Sequence, residues 1–414
     1  MYECSRAAVG RRFDGAPRGL TRQRYRCLIF TFIHTADWQI GKPFGGFDER
    51  LAGRLEEARL DAVDRIGELA TARGASHVLV AGDVFDAPDL SERALRQVLT
   101  RMGHHHGVTW VLLPGNHDPA YPGGVWERLT RIGTGPHVVI ADKPQPIMLG
   151  ARAVVLPAPL TAKATAVDPT RWMDADGRHD GILRIGLAHG SVHGFGSEGE
   201  SAVPIDPGRV ASARLDYLAL GDWHGLKRIG PRCWYSGTPE PDNFANNPKG
   251  HALVVTLAAG AEPVVEPVVV GRYAWARIKA RITGAADLDA LSHEIAAQAP
   301  QQSRLLVRLE LSGSLSVGDH AEFATWRQII DSRLQYLAID ADELGLTAGL
   351  DDARVRDLIG SDGELQAAAE RLEAQARQQA DGAHGDAAPH HRRVAQTALV
   401  RLLEMARAAS GEGA

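Results

Sequence analysis

Between residues 28 and 220, short apolar runs alternate with clusters of polar residues. Five such runs precede a polar cluster: Leu28–Ile33, Val78–Ala81, Val108–Leu113, Ile185–Ala188 and Leu215–Leu220. Uninterrupted apolar runs of this length are typical of strands that are buried on both faces. An amphipathic pattern that stops at Gly74 predicts a helix after the first strand, and a second helix is predicted from Ser91 to Gly103. This alternation predicts an α/β sheet covered by helices.

The pattern is different on the two sides of residue 270. Strands near Ala252–Leu257 and Val264–Val270 are expected to complete a first domain over residues 28–270. After Gly271, the pattern predicts a smaller α+β domain over residues 271–345. Its strands are expected at Tyr273–Ile282 and Arg304–Leu311, and its helices at Leu288–Ala297 and His320–Leu334.

Residues 346–414 are expected to form a helical C-terminal region. Two apolar stripes at helical spacing flank a linker from Gln379 to His391, and they consist of Leu365, Ala369, Leu372 and Ala376, then Val394, Ala398, Leu402 and Met405. Two interpretations stay open. The stripes either pack on the body of the protein or dock a partner helix or coiled coil.

Composition narrows the function classes. The net charge of −5 gives no strong electrostatic signal for nucleic acid over the whole chain, and no apolar stretch is long enough for a membrane span. Residues 1–27 are rich in arginine and lack the apolar core of a secretory signal, so a disordered basic tail is expected, with a nucleic-acid-binding arm as the alternative. Three widely spaced cysteines exclude a thiolate zinc cage and favour a cytoplasmic location.

The polar clusters carry the candidate chemistry. Loops at one edge of a sheet converge, so residues that are distant in sequence can share a site. The clusters offer carboxylates, imidazoles and one amide: Asp37, Asp83, Asn116, His117, His189, Asp222 and His224. Oxygen and nitrogen ligands without thiolate suit Mn²⁺, Fe, Zn²⁺ or Mg²⁺, and a pair of ions would need a bridging carboxylate, for which Asp83 is the natural candidate. Lys42 also flanks the first cluster, and we interpret it as ordinary surface charge.

The order of these clusters, DxQ…GDxxD…GNHD…HG…GDxH, resembles the calcineurin-like metallophosphoesterases, whose usual pattern is DxH…GDxxD…GNHE/D…H…GHxH. The segments HTADWQIGKPF, GDVFD, LPGNHD and WYSGTPE are similar to those of SbcD-type nuclease subunits of double-strand-break repair complexes. The resemblance covers about residues 28–270. It implies a four-layer αββα sandwich with an α+β cap and C-terminal helices. It also implies a DNA exonuclease or endonuclease, an SbcC-like coiled-coil ATPase partner, a homodimer, and a cytoplasmic or nucleoid-associated location.

The resemblance also implies a role for each site residue. The first of two divalent ions would be held by Asp37, Gln39, Asp83 and His224. The second would be held by Asp83, Asn116, His189 and Asp222. His117 would assist the leaving group or stabilise the transition state, supported by Asp118 or another carboxylate.

Two residues depart from the family pattern, Gln39 in place of histidine and Asp222 in place of histidine. A glutamine carbonyl is a weaker ligand than imidazole, so the first ion should bind less tightly. The aspartate should favour Mn²⁺ or Mg²⁺ over Zn²⁺ at the second position, with Mn²⁺ preferred and Fe as an alternative. Two other functions stay open: a phosphoesterase for small nucleotides or phosphoproteins, and an interaction module whose departures mark the loss of metal.

Overall fold

The computed structural model describes residues 29–175, 181–192, 203–245, 249–346 and 363–377, and helical residues 394–395, 397–399, 401–402 and 405–406. The predicted N-terminal tail and the linker from Gln379 to His391 lie outside these residues. Within the described part of the chain, no helix is both long and apolar enough to cross a membrane.

Two large sheets form the body of the protein. The first has eight strands, in the order β16-β15-β14-β13-β1-β2-β3-β4. In chain order, these strands are β1 (Ile29–Thr35), β2 (His77–Val80), β3 (Thr109–Leu112), β4 (Val138–Ile140), β13 (Lys249–Ala258), β14 (Val264–Ile282), β15 (Leu305–Leu315) and β16 (Tyr336–Leu346). Strands β1 to β4 are mutually parallel, and β13 joins β1 in antiparallel orientation.

The second large sheet has six strands, in the order β11-β12-β10-β7-β6-β5. They are β5 (Ile147–Leu149), β6 (Ala153–Ala158), β7 (Leu183–His189), β10 (Tyr217–Gly221), β11 (Lys227–Gly230) and β12 (Cys233–Tyr235). Strands β6, β7, β10 and β12 run parallel. Two short strands, β8 (Ser191–Val192) and β9 (Pro204–Ile205), pair with each other.

Helices cover the outer faces of the sheets. The described helices are α1 (Glu49–Ala72), α2 (Glu92–Gly103), α3 (Val125–Ile132), α4 (Arg209–Ser212), α5 (Ala285–Gln298), α6 (Val317–Arg333) and α7 (Gly363–Arg377), and the 3-10 helices are Arg171–Asp174 and Gln302–Arg304. The predicted start of the second helix at Ser91 is confirmed, because the Ser91 side chain caps α2 by accepting a hydrogen bond from the backbone N–H of Ala94.

Alternating residues of the strands separate the layers of the core. On the first sheet, Ile33 and Val80 face α1, α2 and α3, whereas Phe32 and Leu79 face the second sheet and contact its Ile185 cluster. The outer face of the second sheet is covered by the 3-10 helix at Arg171–Asp174 and the segments around α4. The prediction of an αββα sandwich is therefore confirmed, with short helices in its fourth layer.

The prediction of two separate strands on either side of Gly271 is wrong, because β14 runs through this residue as one strand of 19 residues. A β-carbon at Gly271 would lie 2.8 Å from the backbone nitrogen of Gly250, so this glycine permits close packing of two backbones and does not form a turn. The pairing partner of β14 changes from β13 to β15 near Ala274. The first sheet thus continues through residues 270 and 271. The division of the chain into two domains at this position stays a prediction.

The cap contains a further strand that the pattern did not predict. Strand β16 follows α6 and pairs in parallel with β15. An aromatic cluster joins the cap to the loops of the body, and its rings come from Phe44, Phe47, Phe244, Trp275 and Tyr336. In the described C-terminal residues, Ala369 and Leu399 are buried, while Leu365, Val394 and Met405 are exposed. Docking of a partner through this region stays a prediction.

Candidate metal centre

The predicted site residues follow strands that end at one edge of the sandwich. Strands β1, β2 and β3 of the first sheet and β7 and β10 of the second each end at a predicted ligand or just before one. Hydrogen bonds join the two sheets there: for example, Nδ1 of His189 donates to the carbonyl oxygen of Ala81 (2.9 Å), and the N–H of Asp222 donates to Oδ1 of Asp37 (3.0 Å). The sequence motifs therefore meet in space.

The backbone is strained where the ligands are placed. Five non-glycine residues among those described have a positive φ, and four of them are predicted ligands: Asp37 (53°), Gln39 (45°), Asp83 (51°) and Asp222 (102°). Side chains with a β-carbon rarely adopt this conformation, and where they do, the strain is commonly associated with function. Hydrogen bonds between neighbouring loops hold it here, since the N–H groups of Asp37 and Gln39 donate to the carbonyl oxygens of Gly82 and Asp83.

His189 is the centre of the cluster. Its Nε2 lies 3.1 Å from Oδ1 of Asn116, 3.5 Å from Oδ1 of Asp83 and 3.7 Å from Oδ1 of Asp222. Burial lowers the pKa of His189, but the negative charges of Asp83, Asp37 and Asp222 raise it by more, so the net effect is a rise to about 9. A cation is therefore favoured at Nε2, and in the absence of metal a proton provides it. The hydrogen bond from Nδ1 to Ala81 orients the ring as metal-ligating histidines are oriented.

The spacing of these atoms fits a divalent ion. In an octahedral site with bonds of about 2.1 Å, neighbouring ligand atoms lie about 3 Å apart. Ligand atoms of Asp37, Asp83 and His189 also lie within 4.8 Å of one another. The second oxygen of Asp37, Oδ2, is buried without a hydrogen-bond partner, and burial raises the pKa of this carboxyl to about 6. A buried carboxylate oxygen without a partner lowers the stability of the folded protein unless a cation binds it.

Two glycines allow the ligands to approach. A β-carbon at Gly82 would lie 2.2 Å from Nδ1 of His189, and one at Gly115 would lie 2.1 Å from Oδ1 of Asp83. Any side chain at these positions would displace a ligand, so both glycines belong to the construction of the site.

His117 lies beside the cluster, and its exposed side chain is 44% accessible. Its N–H donates to Oδ1 of Asp83 (2.9 Å), and its ring nitrogen Nδ1 lies 3.0 Å from the carbonyl oxygen of Asp86. Asp118 does not contact this ring, because its two oxygens accept the N–H groups of Gly115 (2.6 Å) and Phe85 (2.9 Å). Asp118 therefore holds the turn. The ring of His117 contacts the backbone carbonyl of Asp86, whose carboxylate Oδ1 lies 3.8 Å from Nδ1, so the carboxylate support expected for His117 stays a prediction.

Gln39 and His224 lie on the other side of Asp37, with partners that the sequence did not predict. Nε2 of Gln39 is 3.1 Å from Nε2 of His224, and Oε1 of Gln39 accepts from the ammonium group of Lys42 (2.9 Å). Lys42 is also paired with the buried Asp242 (2.5 Å), so it is not simply surface charge. The signal for Asp242 was the apolar strand Cys233–Tyr235 followed by a polar segment, the same pattern as in the other five clusters.

Comparison with known proteins places these residues in a family context. A family model described as calcineurin-like phosphoesterase matches residues 30–255, more than half of the chain. The SbcD component of the nuclease SbcCD from Rhodobacter capsulatus is 29% identical, with 56% of this chain and 67% of that protein covered. The SbcD component of the nuclease SbcCD from Bacillus subtilis is 26% identical, with 54% and 65% covered.

Two further matches are to a second Bacillus subtilis protein and to a solved structure. The uncharacterized metallophosphoesterase YhaO of Bacillus subtilis is 26% identical, with 54% of this chain and 57% of that protein covered. The chain thus spans between 57% and 67% of the length of these relatives. Among solved structures, a purple acid phosphatase from yellow lupin seeds matches with a TM-score of 0.38 and 13% identity, over 58% of this chain and 52% of that one.

Proposed function

The chain belongs to the calcineurin-like phosphoesterase family, and we propose that it is a divalent-metal-dependent nuclease that hydrolyses the phosphodiester backbone of DNA. The observation that carries this proposal is the convergence of three oxygens, from Asn116, Asp83 and Asp222, on Nε2 of the buried His189. This donor set suits Mn²⁺ or Mg²⁺. The similarity to two SbcD proteins named as parts of a nuclease supports DNA as the substrate.

The proposed reaction gives different roles to the bound ion, Asp83 and His117. When bound, a divalent ion supplies Lewis acidity toward phosphoryl oxygens and makes hydroxide available at neutral pH. Asp83 is oriented by the N–H of His117, which places the second-ion ligands beside the histidine. Because a carbonyl oxygen only accepts, the contact with Asp86 supports a proton on Nδ1 of His117. In this proposal, Nε2 of His117 gives a proton to the leaving-group oxygen and takes one back from water before the next turnover.

The partner and assembly belong to the same proposal. An SbcC-like coiled-coil ATPase would dock on the C-terminal helices, where Leu365, Val394 and Met405 expose apolar side chains. A homodimer and a cytoplasmic or nucleoid-associated location follow from the same resemblance. These expectations rest on the named relatives and not on the geometry of the metal centre.

The test is degradation of linear duplex DNA by the full chain in the presence of Mn²⁺. We expect wild-type protein to release nucleotides, Asp83→Asn to lose activity together with metal, and His117→Ala to lose activity by about 10²–10⁴-fold while it retains metal. Two exposed positions supply matched controls, Asp142→Asn and His293→Ala, and both should behave as wild type.

Three results would contradict the proposal. The first is a metal-loaded protein that leaves DNA intact both alone and with its ATPase partner. The second is Asp83→Asn with full activity. The third is cleavage of small phosphodiesters or phosphopeptides without cleavage of DNA, which would keep the metal chemistry and replace the substrate with that of the alternative phosphoesterase.

A further inference from the structure

Four side chains beside the candidate metal centre form a closed ring of three hydrogen bonds and one ion-pair contact, the Lys42 ring. The ammonium group of Lys42 donates to Oε1 of Gln39 (2.9 Å) and to Oδ2 of Asp242 (2.5 Å). Nε2 of Gln39 lies 3.1 Å from Nε2 of His224, and Nδ1 of His224 lies 3.4 Å from Oδ2 of Asp242. The contacts therefore return to the carboxylate that accepts from Lys42.

The chemistry of the donors fixes the direction of every bond in the ring. An ammonium group only donates, so the oxygen of the Gln39 amide must face Lys42 and its nitrogen must face His224. An amide nitrogen also only donates, so Nε2 of His224 must be the acceptor. The proton of His224 is then on Nδ1, which faces Asp242. Each member of the ring has a partner that suits it.

This arrangement occupies the atoms that would bind a first ion. Two of the four ligands implied by the family resemblance are Oε1 of Gln39 and Nε2 of His224, and both already accept a hydrogen bond within the ring. An ion at this position would also lie close to the ammonium group of Lys42, and the two positive charges would repel each other. Gln39 and His224 therefore do not fit the first ion. Asp37, with its unpaired Oδ2, has a ligand atom within 4.8 Å of those of Asp83 and His189, so it is available to the remaining ion.

Lys42 cannot leave the ring without consequence. Its carboxylate partner, Asp242, is buried with 2% of its side chain exposed, and the Arg59 guanidinium approaches that carboxylate only to 3.7 Å. Removal of the ammonium group would leave Asp242 with weaker compensation, and an uncompensated buried charge is costly. By contrast, the side chains of the second-ion ligands around His189 share no hydrogen bond with the ring side chains among the described residues. The two groups are linked through the backbone, since the N–H of Gln39 donates to the carbonyl oxygen of Asp83 (2.9 Å).

We propose that the Lys42 ring takes the place of the first ion, so that this chain binds one divalent ion at the second-ion ligands. The inference rests on the proposed function for the identity of the ligands. It assigns to Lys42 and Asp242 a positioning role: they hold Gln39 and His224 beside Asp37 by hydrogen bonds instead of by a metal.

The experiment counts ions on the full chain. Protein equilibrated with Mn²⁺ and freed of excess is analysed by elemental mass spectrometry, and its electron paramagnetic resonance spectrum separates an isolated Mn²⁺ from an exchange-coupled pair. We expect one ion per chain and the spectrum of an isolated ion. Asn116→Ala should lower affinity for this ion, whereas Lys163→Met, which removes an exposed lysine, should change nothing.

A second variant tests the ring itself. The double substitution Lys42→Met with Gln39→His removes the ammonium group and restores an imidazole, and it should raise the count from one ion to two and produce the coupled spectrum. If this variant does not fold, Gln39→His alone is measured, and it should keep one ion because Lys42 and Asp242 remain.

The outcomes separate this inference from the proposed function. Two ions of similar affinity in wild-type protein would overturn the inference and leave the nuclease proposal standing. A count that stays at one in the folded double variant would also overturn it. Wild-type protein that binds no ion would overturn both.

Discussion

Replacement of Gly82 by alanine tests whether the glycine before Asp83 is required by the metal centre. The new β-carbon would lie 2.2 Å from Nδ1 and 2.5 Å from Cγ of His189, in a backbone conformation with φ of +90°. The His189 ring is completely buried and cannot move into solvent. To accommodate the methyl group, it must move away from Ala81 and from the oxygens around Nε2.

The expected magnitude has two parts. A left-handed backbone conformation costs a residue with a β-carbon about 1–2 kcal/mol, and overpacking of a well-packed interior costs about 1–3 kcal/mol. Gly82→Ala should therefore lower the free energy of unfolding by about 2–5 kcal/mol. Loss of the bond that orients a metal-ligating histidine lowers metal affinity by about 10–100-fold.

Gly74→Ala is the matched control. Gly74 also has a positive φ of +63°, but a β-carbon there would meet nothing within 4 Å. Its substitution should lower the free energy of unfolding by the backbone cost alone, about 1–2 kcal/mol, with no change in metal affinity. Urea unfolding gives the first quantity, and calorimetric titration with Mn²⁺ gives the second. The reasoning is refuted if the two variants lose equal stability and both bind Mn²⁺ as wild type does.

Three further predictions concern the stability of the fold. Burial raises the pKa of Glu240 from 4.5 to about 7, so the folded state holds an extra proton in this window and its contribution to stability falls as pH rises from 4.5 to 7. Glu240→Gln should flatten that fall in urea unfolding, and an unchanged slope would contradict it. Arg209→Met should lower the free energy of unfolding by about 1–3 kcal/mol, because it removes the ion pair with the partly buried Asp168 (2.8 Å), which keeps its hydrogen bonds from Thr170 and Asp206. Its ion count should stay at the wild-type value. Ser316→Ala should lower the free energy of unfolding by about 1 kcal/mol through loss of the α6 capping box, and a thermal shift of zero would oppose this.

The strand ends that carry the ligands could be predicted from sequence, and the reason is local. A buried parallel strand needs an uninterrupted apolar run, so Val78–Ala81 and Leu215–Leu220 indicated β2 and β10. Parallel strands have their carboxyl ends at one edge of a sheet, which groups Asp83 with Asn116 on the first sheet and His189 with Asp222 on the second. The contact between His189 and Asp83 depends on how the two sheets pack, which the apolar runs alone do not give. The same logic applied to β12 would have led to Asp242, but its apolar run has only three residues.

The Lys42 ring could not be predicted in this way. Lys42 and Asp242 are 200 residues apart, and their contact depends on how the loop after β1 meets the loop after β12. A lysine near a motif is most often solvated, so the sequence alone favours surface charge at Lys42. Gly271 illustrates the same difficulty, because a glycine that permits close packing is indistinguishable in sequence from one that ends a strand.

The most direct test of the account is a crystal structure of the full chain with Mn²⁺, with the ion located by anomalous scattering. The account predicts an anomalous peak about 2 Å from Nε2 of His189, Oδ1 of Asn116 and an oxygen of Asp83. It also predicts the Lys42 ring intact beside that peak. A crystal in which Mn²⁺ binds only elsewhere, or in which His189 keeps its present contacts with no ion bound, would contradict the metal centre and the function proposed from it.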